Sequence, residues 1–190
     1  MIIHVWRRAR AAEIGRVVVA TDTDAIMDAV RDAGGEAVMT RADHISGSDR
    51  VYEAANRIDP EGDFEIILNV QGDLPTIDPA DIRAALDPLK DPAVDIATLA
   101  AVIHDTDELT NPNVVKVSGP LLSPGHTRGA TFTRADAEGP GPHYHHLGLY
   151  AYRHAFDRRV RAVLLPGAVT GIGIGWATAS LVSEAMVTLM

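Results

Sequence analysis

A short apolar run that ends abruptly in a polar turn constrains this chain most. Residues 66–70 read Ile-Ile-Leu-Asn-Val, and they are followed by Gln71, Gly72, Asp73 and, two positions later, a proline. Apolar, largely β-branched residues bounded by turn residues predict a buried strand. The glycine allows a tight turn and the proline prevents the strand from continuing. Asp73 is therefore predicted to lie just beyond the carboxyl end of a strand.

This position makes Asp73 a candidate ligand-binding residue. Strand and helix patterns alternate over residues 15–89, which predicts a parallel sheet with helices on both faces. In open α/β sheets, ligands bind beyond the carboxyl ends of the strands. A carboxylate there suits a magnesium ion that bridges phosphate oxygens, because magnesium prefers hard oxygen ligands. The alternative interpretation is that Asp73 only caps a turn.

Composition narrows the class of protein. A chain of 190 residues fits one domain, and 46% apolar with 23% charged residues is typical of a soluble globular protein. The net charge of −9 and the lack of a basic stripe argue against a general nucleic-acid surface. The absence of cysteine excludes a disulfide framework, a thiolate metal site and a cysteine nucleophile. The first residues show no secretory signal.

Periodicity and capping residues predict the order of helices and strands along the chain. From residue 94 onward strands follow one another without a helix between them, which predicts a mixed sheet in this part. The predicted helices cover 2–13, 24–33, the stretch up to about 57, and 79–86 with Asp78 as cap. The predicted strands cover 16–22, 36–40, 66–70, 94–102, 113–117, the region of residue 132, and 147–152.

The last thirty residues differ from the rest. We assign residues 1–160 to an α/β domain and 161–190 to a divergent, glycine-rich tail. No charged residue lies between Arg161 and Glu184, so the length matches a membrane span. The glycine, threonine and serine content disfavours a span, and the glycines also disfavour a soluble helix. We expect no membrane span, and a tail with little regular structure.

Four segments, taken together, resemble the 3-deoxy-manno-octulosonate (KDO) cytidylyltransferase family. They occur in the order of that family and at about its spacing, over residues 2–153. The segments are 19–22 (Val-Ala-Thr-Asp), 39–50 (Met-Thr-Arg-Ala-Asp-His and Ser-Gly-Ser-Asp-Arg), 69–75 (Asn-Val-Gln-Gly-Asp with a proline), and 111–117 (Asn-Pro-Asn-Val-Val-Lys-Val) together with 146–153 (His-Leu-Gly-Leu-Tyr-Ala-Tyr-Arg).

The resemblance implies a function. Members of this family transfer CMP from CTP to KDO and release pyrophosphate, which supplies lipopolysaccharide synthesis. It further implies a Rossmann-like nucleotidyltransferase fold with a mixed, mainly parallel sheet, a cytoplasmic homodimer and Mg²⁺ as cofactor. Direct attack of a sugar hydroxyl on the α-phosphate depends on positioning and electrostatics, and needs no protein nucleophile.

The resemblance also implies residue roles. Asp73 matches the catalytic, magnesium-binding aspartate, while Ser46, Gly47 and Arg50 match the loop around cytosine and ribose. Four residues match the sugar side: Gln71, Arg134, His146 and Tyr150.

Plainer interpretations remain open for several of these residues. Gln71 is alternatively a turn-stabilising amide, and His146 a structural or surface histidine. Ser46 is alternatively the cap of a helix, with Asp49 in the capping-box position. The spacing of the histidines around residue 146 does not match a standard zinc motif.

Two departures from the family bear on activity. The family opens with a strand and an arginine-rich loop followed by a lysine, which hold the triphosphate, and this sequence starts at the helix after them. We expect the sheet to lack that central strand and to expose strand edges there. We also expect catalysis to be impaired. After residue 153 the family's Glu-rich helix and second magnesium aspartate have no counterpart, which suggests truncation or a disrupted reading frame.

Two further functions are therefore considered. One is an impaired fragment that only binds nucleotide or dimerises. The other is a related acylneuraminate cytidylyltransferase, which the Met-Thr-x-x-Asp-His and His-Leu-Gly-Leu-Tyr segments disfavour.

Overall fold

A computed structural model describes residues 1–123, 125–137, 139, 141–153 and 185–189. The helices are α1 (Ile2–Ala11), α2 (Asp24–Asp32), α3 (Gly47–Ile58) and α4 (Pro79–Ala84). The strands are β1 (Gly15–Thr21), β2 (Glu36–Met39), β3 (Ile66–Val70), β4 (Ile96–Val102), β5 (Lys116–Ser118), β6 (Leu121–Ser123), β7 (His126–Thr127), β8 (Thr131–Thr133), β9 (His143–Arg153) and β10 (Ala185–Leu189).

One mixed sheet organises these elements. Its strands follow the order β2-β1-β10-β3-β9-β5-β8. The long strand β9 pairs with β3 near its end and with β5 near its start, and β4 pairs along the opposite edge of β9. The first four strands are mutually parallel, whereas β9 runs antiparallel to β3, β4 and β5. The predicted mixed, mainly parallel α/β architecture is confirmed, with the antiparallel part beginning where the helices stop alternating with strands.

Strand β10 corrects two expectations about the sheet. It lies between β1 and β3 and is parallel to both, with Val187 opposite Val17 and Leu68. The expectation that β1 and β3 have exposed edges is therefore wrong for the described sheet, because β10 pairs with both. The expectation of little regular structure after residue 161 is also wrong at Ala185–Leu189, which forms this strand. The proposed domain boundary and residues 154–184 lie outside the described part of the chain.

Alternation along β3 sets which face carries each side chain. Ile66, Leu68 and Val70 pack into the main core, which α1 and α4 also enter. Ile67 packs on the opposite face, in a smaller core with α3 residues Val51 and Ala55. Continued alternation places Asn69 and Gln71 on the α3 face of the sheet. The candidate site is built on that face.

Most predicted elements are confirmed with shifted ends. Helix α4 begins after Asp78, whose carboxylate accepts the Ala80 N–H at 2.8 Å as predicted. Strand β5 starts later than expected because the Val114 N–H donates to the Asn111 carbonyl at 3.1 Å and closes a turn. No described helix is long and apolar enough to cross a membrane.

Candidate active site

The carboxyl ends of three parallel strands meet at one rim of the sheet. Thr21 ends β1, Met39 ends β2 and Val70 ends β3. Thr21 and Met39 lie opposite each other, whereas Val70 is level, through β10, with Val19, two residues before the end of β1. One strand, β10, separates β1 from β3, so these two strands lie roughly 10 Å apart at the usual strand spacing. Residues that follow β1 and β3 therefore face a common space of nucleotide size.

Asp73 lies on this rim. It is exposed and sits in the turn after β3, where the Leu74 N–H donates to the Gln71 carbonyl at 3.3 Å. Its carboxylate makes no hydrogen bond or ion pair with any residue that the structure describes. Across the described ranges no group of three or more His, Asp or Glu side chains is arranged to hold a metal ion.

The amino end of α3 carries the loop predicted to bind nucleotide. Ser46 is the cap residue: its Oγ accepts the Asp49 N–H at 3.2 Å and donates to the Asp49 carboxylate at 2.8 Å. Gly47 is the first residue of the helix. The capping interpretation of Ser46 is thus present in the structure, and it is compatible with a ligand at this helix end.

Arg50 ties the ends of β1 and β2 together. Its guanidinium donates to the Asp22 carboxylate at 2.6 Å and to Thr40 Oγ1 at 2.7 Å. The hydrogen bond from Arg50 lowers the pKa of Asp22. Arg50 therefore has a structural task at the rim, which sequence reasoning had not assigned to it.

A second charged cluster holds the loop between β2 and α3. Glu53 accepts from His44 Nε2 and from the Arg41 N–H at 3.2 Å, and it pairs with Arg57. Burial acts to raise the pKa of Glu53, but the His44 hydrogen bond, the Arg41 N–H and the Arg57 charge outweigh burial and lower it. Sequence reasoning missed this cluster, although a Glu-to-Arg spacing of four within a helix was a signal.

Aromatic rings form a continuous face along β9. The His146 ring lies 5.5 Å from Phe132, edge-on, and 5.1 Å from Tyr150, while Tyr150 stacks on Tyr152 at 6.0 Å. The Tyr152 hydroxyl is hydrogen-bonded to Ser48 Oγ at 3.0 Å. This bond joins the predicted sugar side to the first turn of α3, so the two predicted halves of the site adjoin.

Gln71 lies against this aromatic face. Its N–H donates to the Gly148 carbonyl at 3.2 Å, and a Cβ at position 148 would stand 2.5 Å from Gln71 Oε1. Position 148 lies between His146 and Tyr150 along the strand, so the Gln71 side chain packs over the backbone of β9 between these two residues. Three of the four predicted sugar-side residues are thereby brought together.

Arg134, the fourth, is held at the border. It is exposed, and its guanidinium donates to the Asn113 carbonyl at 3.1 Å and the Pro112 carbonyl at 3.4 Å. The ring of Phe132, two residues earlier, contacts His146. The structure thus places Arg134 next to the aromatic face and shows no direct contact between Arg134 and that face.

Lys116 holds the backbone at Arg134 in place by a hydrogen bond. Its side chain is buried, and Nζ donates to the carbonyls of Asn111 at 2.7 Å, Val114 at 3.1 Å and Arg134 at 3.1 Å. Sequence reasoning assigned no role to this residue. A lysine within the apolar run of residues 114–117 was the available signal, since lysine is rarely buried without partners.

An apolar cavity of about 280 Å³ is bordered by Thr98 and Phe132, both of which contact His146. It is lined by Thr98, Phe132 and Tyr144 among mainly aliphatic residues. Such a lining does not match a charged phosphate or a polyhydroxylated acid. The polar groups that suit those ligands lie instead on the Gln71 and Tyr150 side.

Burial shapes the ionisation of the aromatic face. Burial, with a smaller contribution from the His145 charge, lowers the pKa of His146 from 6.5 to about 4. Burial also raises the pKa of Tyr150. His146 is therefore a neutral imidazole and Tyr150 a neutral phenol at physiological pH.

A stability measurement tests the state of His146. Between pH 6.5 and about 4 the unfolded chain binds a proton at this position and the folded chain does not. The free energy of unfolding should therefore fall as the pH is lowered through this window. Urea unfolding of wild type and H146Q at several pH values should show the advantage of wild type shrinking from pH 7 to pH 4. An advantage that stays constant would contradict a neutral His146.

Known proteins similar to this chain identify its family. The family model described as "Cytidylyltransferase" matches residues 1–163. The 3-deoxy-manno-octulosonate cytidylyltransferase of Rhodopseudomonas palustris strain HaA2 is 63% identical over 164 residues, 86% of this chain and 67% of its own. That of Nitrobacter hamburgensis is 63% identical over 154 residues, 80% of this chain and 60% of its own.

A solved structure agrees in fold. The structure of CMP:2-keto-3-deoxy-manno-octonic acid synthetase complexed with CTP has a TM-score of 0.75 and 33% identity, and covers 88% of this chain and 68% of that one. This chain thus spans about two thirds or less of the curated relatives' length. On these matches the chain belongs to the cytidylyltransferase family, among the 3-deoxy-manno-octulosonate cytidylyltransferases.

Proposed function

We propose that this site transfers CMP from CTP to KDO and releases pyrophosphate. One observation carries the proposal: the Ser48–Tyr152 hydrogen bond of 3.0 Å joins the amino end of α3 to the aromatic face of β9. A nucleotide at the helix end and a sugar on the strand face would then be neighbours. Holding two reactants in this way supplies much of the rate enhancement in such reactions.

The nucleotide half of the proposal rests on the start of α3. A helix of twelve residues presents unpaired N–H groups and a partial positive charge at its amino end. Ser46 offers a hydroxyl oxygen that can accept a further hydrogen bond, and Gly47 offers a sterically open backbone, which suits hydrogen bonding to a base or ribose. Arg50 supports this surface through Asp22 and Thr40.

The sugar half rests on Gln71, His146 and Tyr150. An amide, a neutral imidazole and a phenol can donate and accept hydrogen bonds without a net charge, which suits the uncharged hydroxyls of KDO. Arg134 lies at the border and suits the KDO carboxylate, because a guanidinium binds carboxylates in a bidentate manner. In that role Arg134 would give up its hydrogen bonds to the Pro112 and Asn113 carbonyls and would bind the carboxylate of the ligand instead.

Magnesium is the proposed cofactor. The donor at hand, the exposed carboxylate of Asp73, fits an ion that takes one or two protein carboxylates and its other ligands from phosphate and water. When bound, the ion would screen the negative charge of the triphosphate. Asp73 would hold it on the rim, within reach of a triphosphate whose nucleoside lies at α3.

The cellular setting of the reaction is proposed from the family resemblance. We place the chain in the cytoplasm as a homodimer, where it supplies activated KDO for lipopolysaccharide synthesis without a nucleic-acid partner. The alternatives of an acylneuraminate enzyme or a fragment that only binds nucleotide are not favoured, because the relatives named above are KDO enzymes.

Pyrophosphate release tests the proposal. The chain is incubated with Mg²⁺ and CTP, with and without KDO, beside the R. palustris HaA2 relative. Release that requires both substrates supports the proposed reaction. Equal release with N-acetylneuraminate would favour the related enzyme, and no saturable CTP binding would contradict the proposal.

Gly148→Ala should weaken sugar binding specifically. The added methyl would clash with the Gln71 amide and displace it from its position over β9. Loss of one hydrogen bond to the sugar should raise the KM for KDO about tenfold, with the KM for CTP unchanged. In a Gln71→Ala background the same substitution should have little further effect, because the clash is gone. A tenfold effect that persists there would contradict the role of Gln71.

A further inference from the structure

A β-bulge interrupts the pairing of β9 with β4 beside the candidate site. Thr98 lies opposite Tyr150, but its neighbour Leu99 lies opposite Leu147, so two residues of β9, Gly148 and Leu149, have no counterpart on β4. Bulges leave a backbone group without its ladder partner, and they often redirect a side chain next to an active site. Here the Leu149 carbonyl is satisfied by a side chain.

That side chain is Thr98, and its hydroxyl has two partners. Thr98 Oγ1 donates to the Leu149 carbonyl at 2.6 Å and lies 2.9 Å from His146 Nε2. A hydroxyl carries a single hydrogen, and a carbonyl oxygen only accepts. The hydrogen of Thr98 is therefore used on Leu149, and Thr98 Oγ1 must accept a hydrogen from His146 Nε2.

This bond decides which nitrogen of His146 carries the proton. A neutral imidazole has one N–H group, so protonation at Nε2 leaves Nδ1 as an acceptor. No described residue hydrogen-bonds Nδ1. The rings of Phe132 and Tyr150 both contact the imidazole and so limit its rotation.

We propose that Thr98 is a positioning residue that fixes His146 as the Nε2–H tautomer and so presents Nδ1 as an acceptor to a hydroxyl of the sugar. The role toward the sugar rests on the proposed function, whereas the tautomer does not. The neutral state required here agrees with the burial of the ring. The bulge thus supplies the carbonyl that orients Thr98, and Thr98 orients the histidine.

Long-range ¹H–¹⁵N correlation spectra of the ¹⁵N-labelled chain, without any ligand, test the tautomer. The His146 signals are identified by their absence in H146Q. Wild type should show a protonated Nε2 and an unprotonated Nδ1 at pH 7.5, and Thr98→Ser should preserve this pattern. Thr98→Val, which keeps the shape but removes the hydroxyl, should give a mixture of tautomers or the Nδ1–H form. A protonated Nδ1 in wild type, or an unchanged pattern in Thr98→Val, would overturn the proposal.

Kinetics then test the role toward the sugar. Thr98→Val should raise the KM for KDO about tenfold without changing the KM for CTP, and Thr98→Ser should restore it. Equal losses for both substrates would contradict a positioning role toward the sugar. If wild type releases no pyrophosphate at all, the proposed function fails, while the spectra still decide whether Thr98 sets the tautomer.

Discussion

Replacing Asp73 with asparagine is expected to lower the rate of CMP transfer about a thousandfold and to leave the fold intact. The amide keeps the size of the side chain but removes the charge that would hold a divalent cation on the rim. Metal ions contribute several kcal/mol to transition-state stabilisation, and each 1.36 kcal/mol corresponds to a factor of ten. Since Asp73 is exposed and bonded to no described residue, the free energy of unfolding should not change.

Asp63→Asn is the matched control. Asp63 is also exposed, but it precedes β3 and therefore lies at the amino end of this strand, opposite the rim that carries Asp73. Steady-state pyrophosphate release should be normal in this variant, and both variants should unfold at the wild-type urea midpoint. A D73N chain with more than about a tenth of wild-type activity would contradict the assignment of Asp73 to the metal.

Lys116→Met is expected to cause the largest loss of stability, about 3–5 kcal/mol. Methionine matches much of the lysine stem but cannot donate, so the buried carbonyl of Val114 and the part-buried carbonyls of Asn111 and Arg134 lose a charged partner. Hydrogen bonds to charged groups contribute about 1.5–3 kcal/mol, and unsatisfied buried carbonyls add to the cost. Urea unfolding followed by circular dichroism measures the change.

Lys90→Met provides the comparison for this prediction. Lys90 forms a surface ion pair with Asp87 at 2.7 Å, and its side chain is 44% exposed. Exposed pairs contribute about 0–1 kcal/mol, so the unfolding midpoint should shift little. A similar small loss for Lys116→Met would mean that its three hydrogen bonds contribute little to the fold.

Local sequence signals predicted the first half of the fold well. The alternation of strand and helix, the cap at Asp78 and the abrupt end of β3 after Val70 depend on short stretches of the chain. Parallel strands separated by helices then bring Asp73 and the start of α3 to one rim by topology. For this reason the candidate nucleotide side was predictable from the order of its motifs.

Other features depend on partners distant in sequence and could not be predicted locally. Strand β10 is separated from its neighbour β1 by most of the chain, and its sequence follows a long uncharged stretch that gave no strand signal. The bulge in β9 depends on its register with β4 and gives Thr98 its position. The bond between Arg50 and Asp22 likewise joins α3 to the turn after β1, two segments that only the folded sheet brings together.

The central claim is that one continuous surface, from the amino end of α3 to the aromatic face of β9, holds CTP and KDO side by side. A two-dimensional NMR titration tests it most directly, first with CTP and Mg²⁺ and then with KDO. We predict that CTP shifts the amides of residues 46–50 and 72–74, and that KDO then shifts His146, Tyr150 and the Gln71 side-chain amide. Chemical-shift changes confined to other surfaces would contradict this account. So would KDO-induced changes that are the same with and without bound CTP.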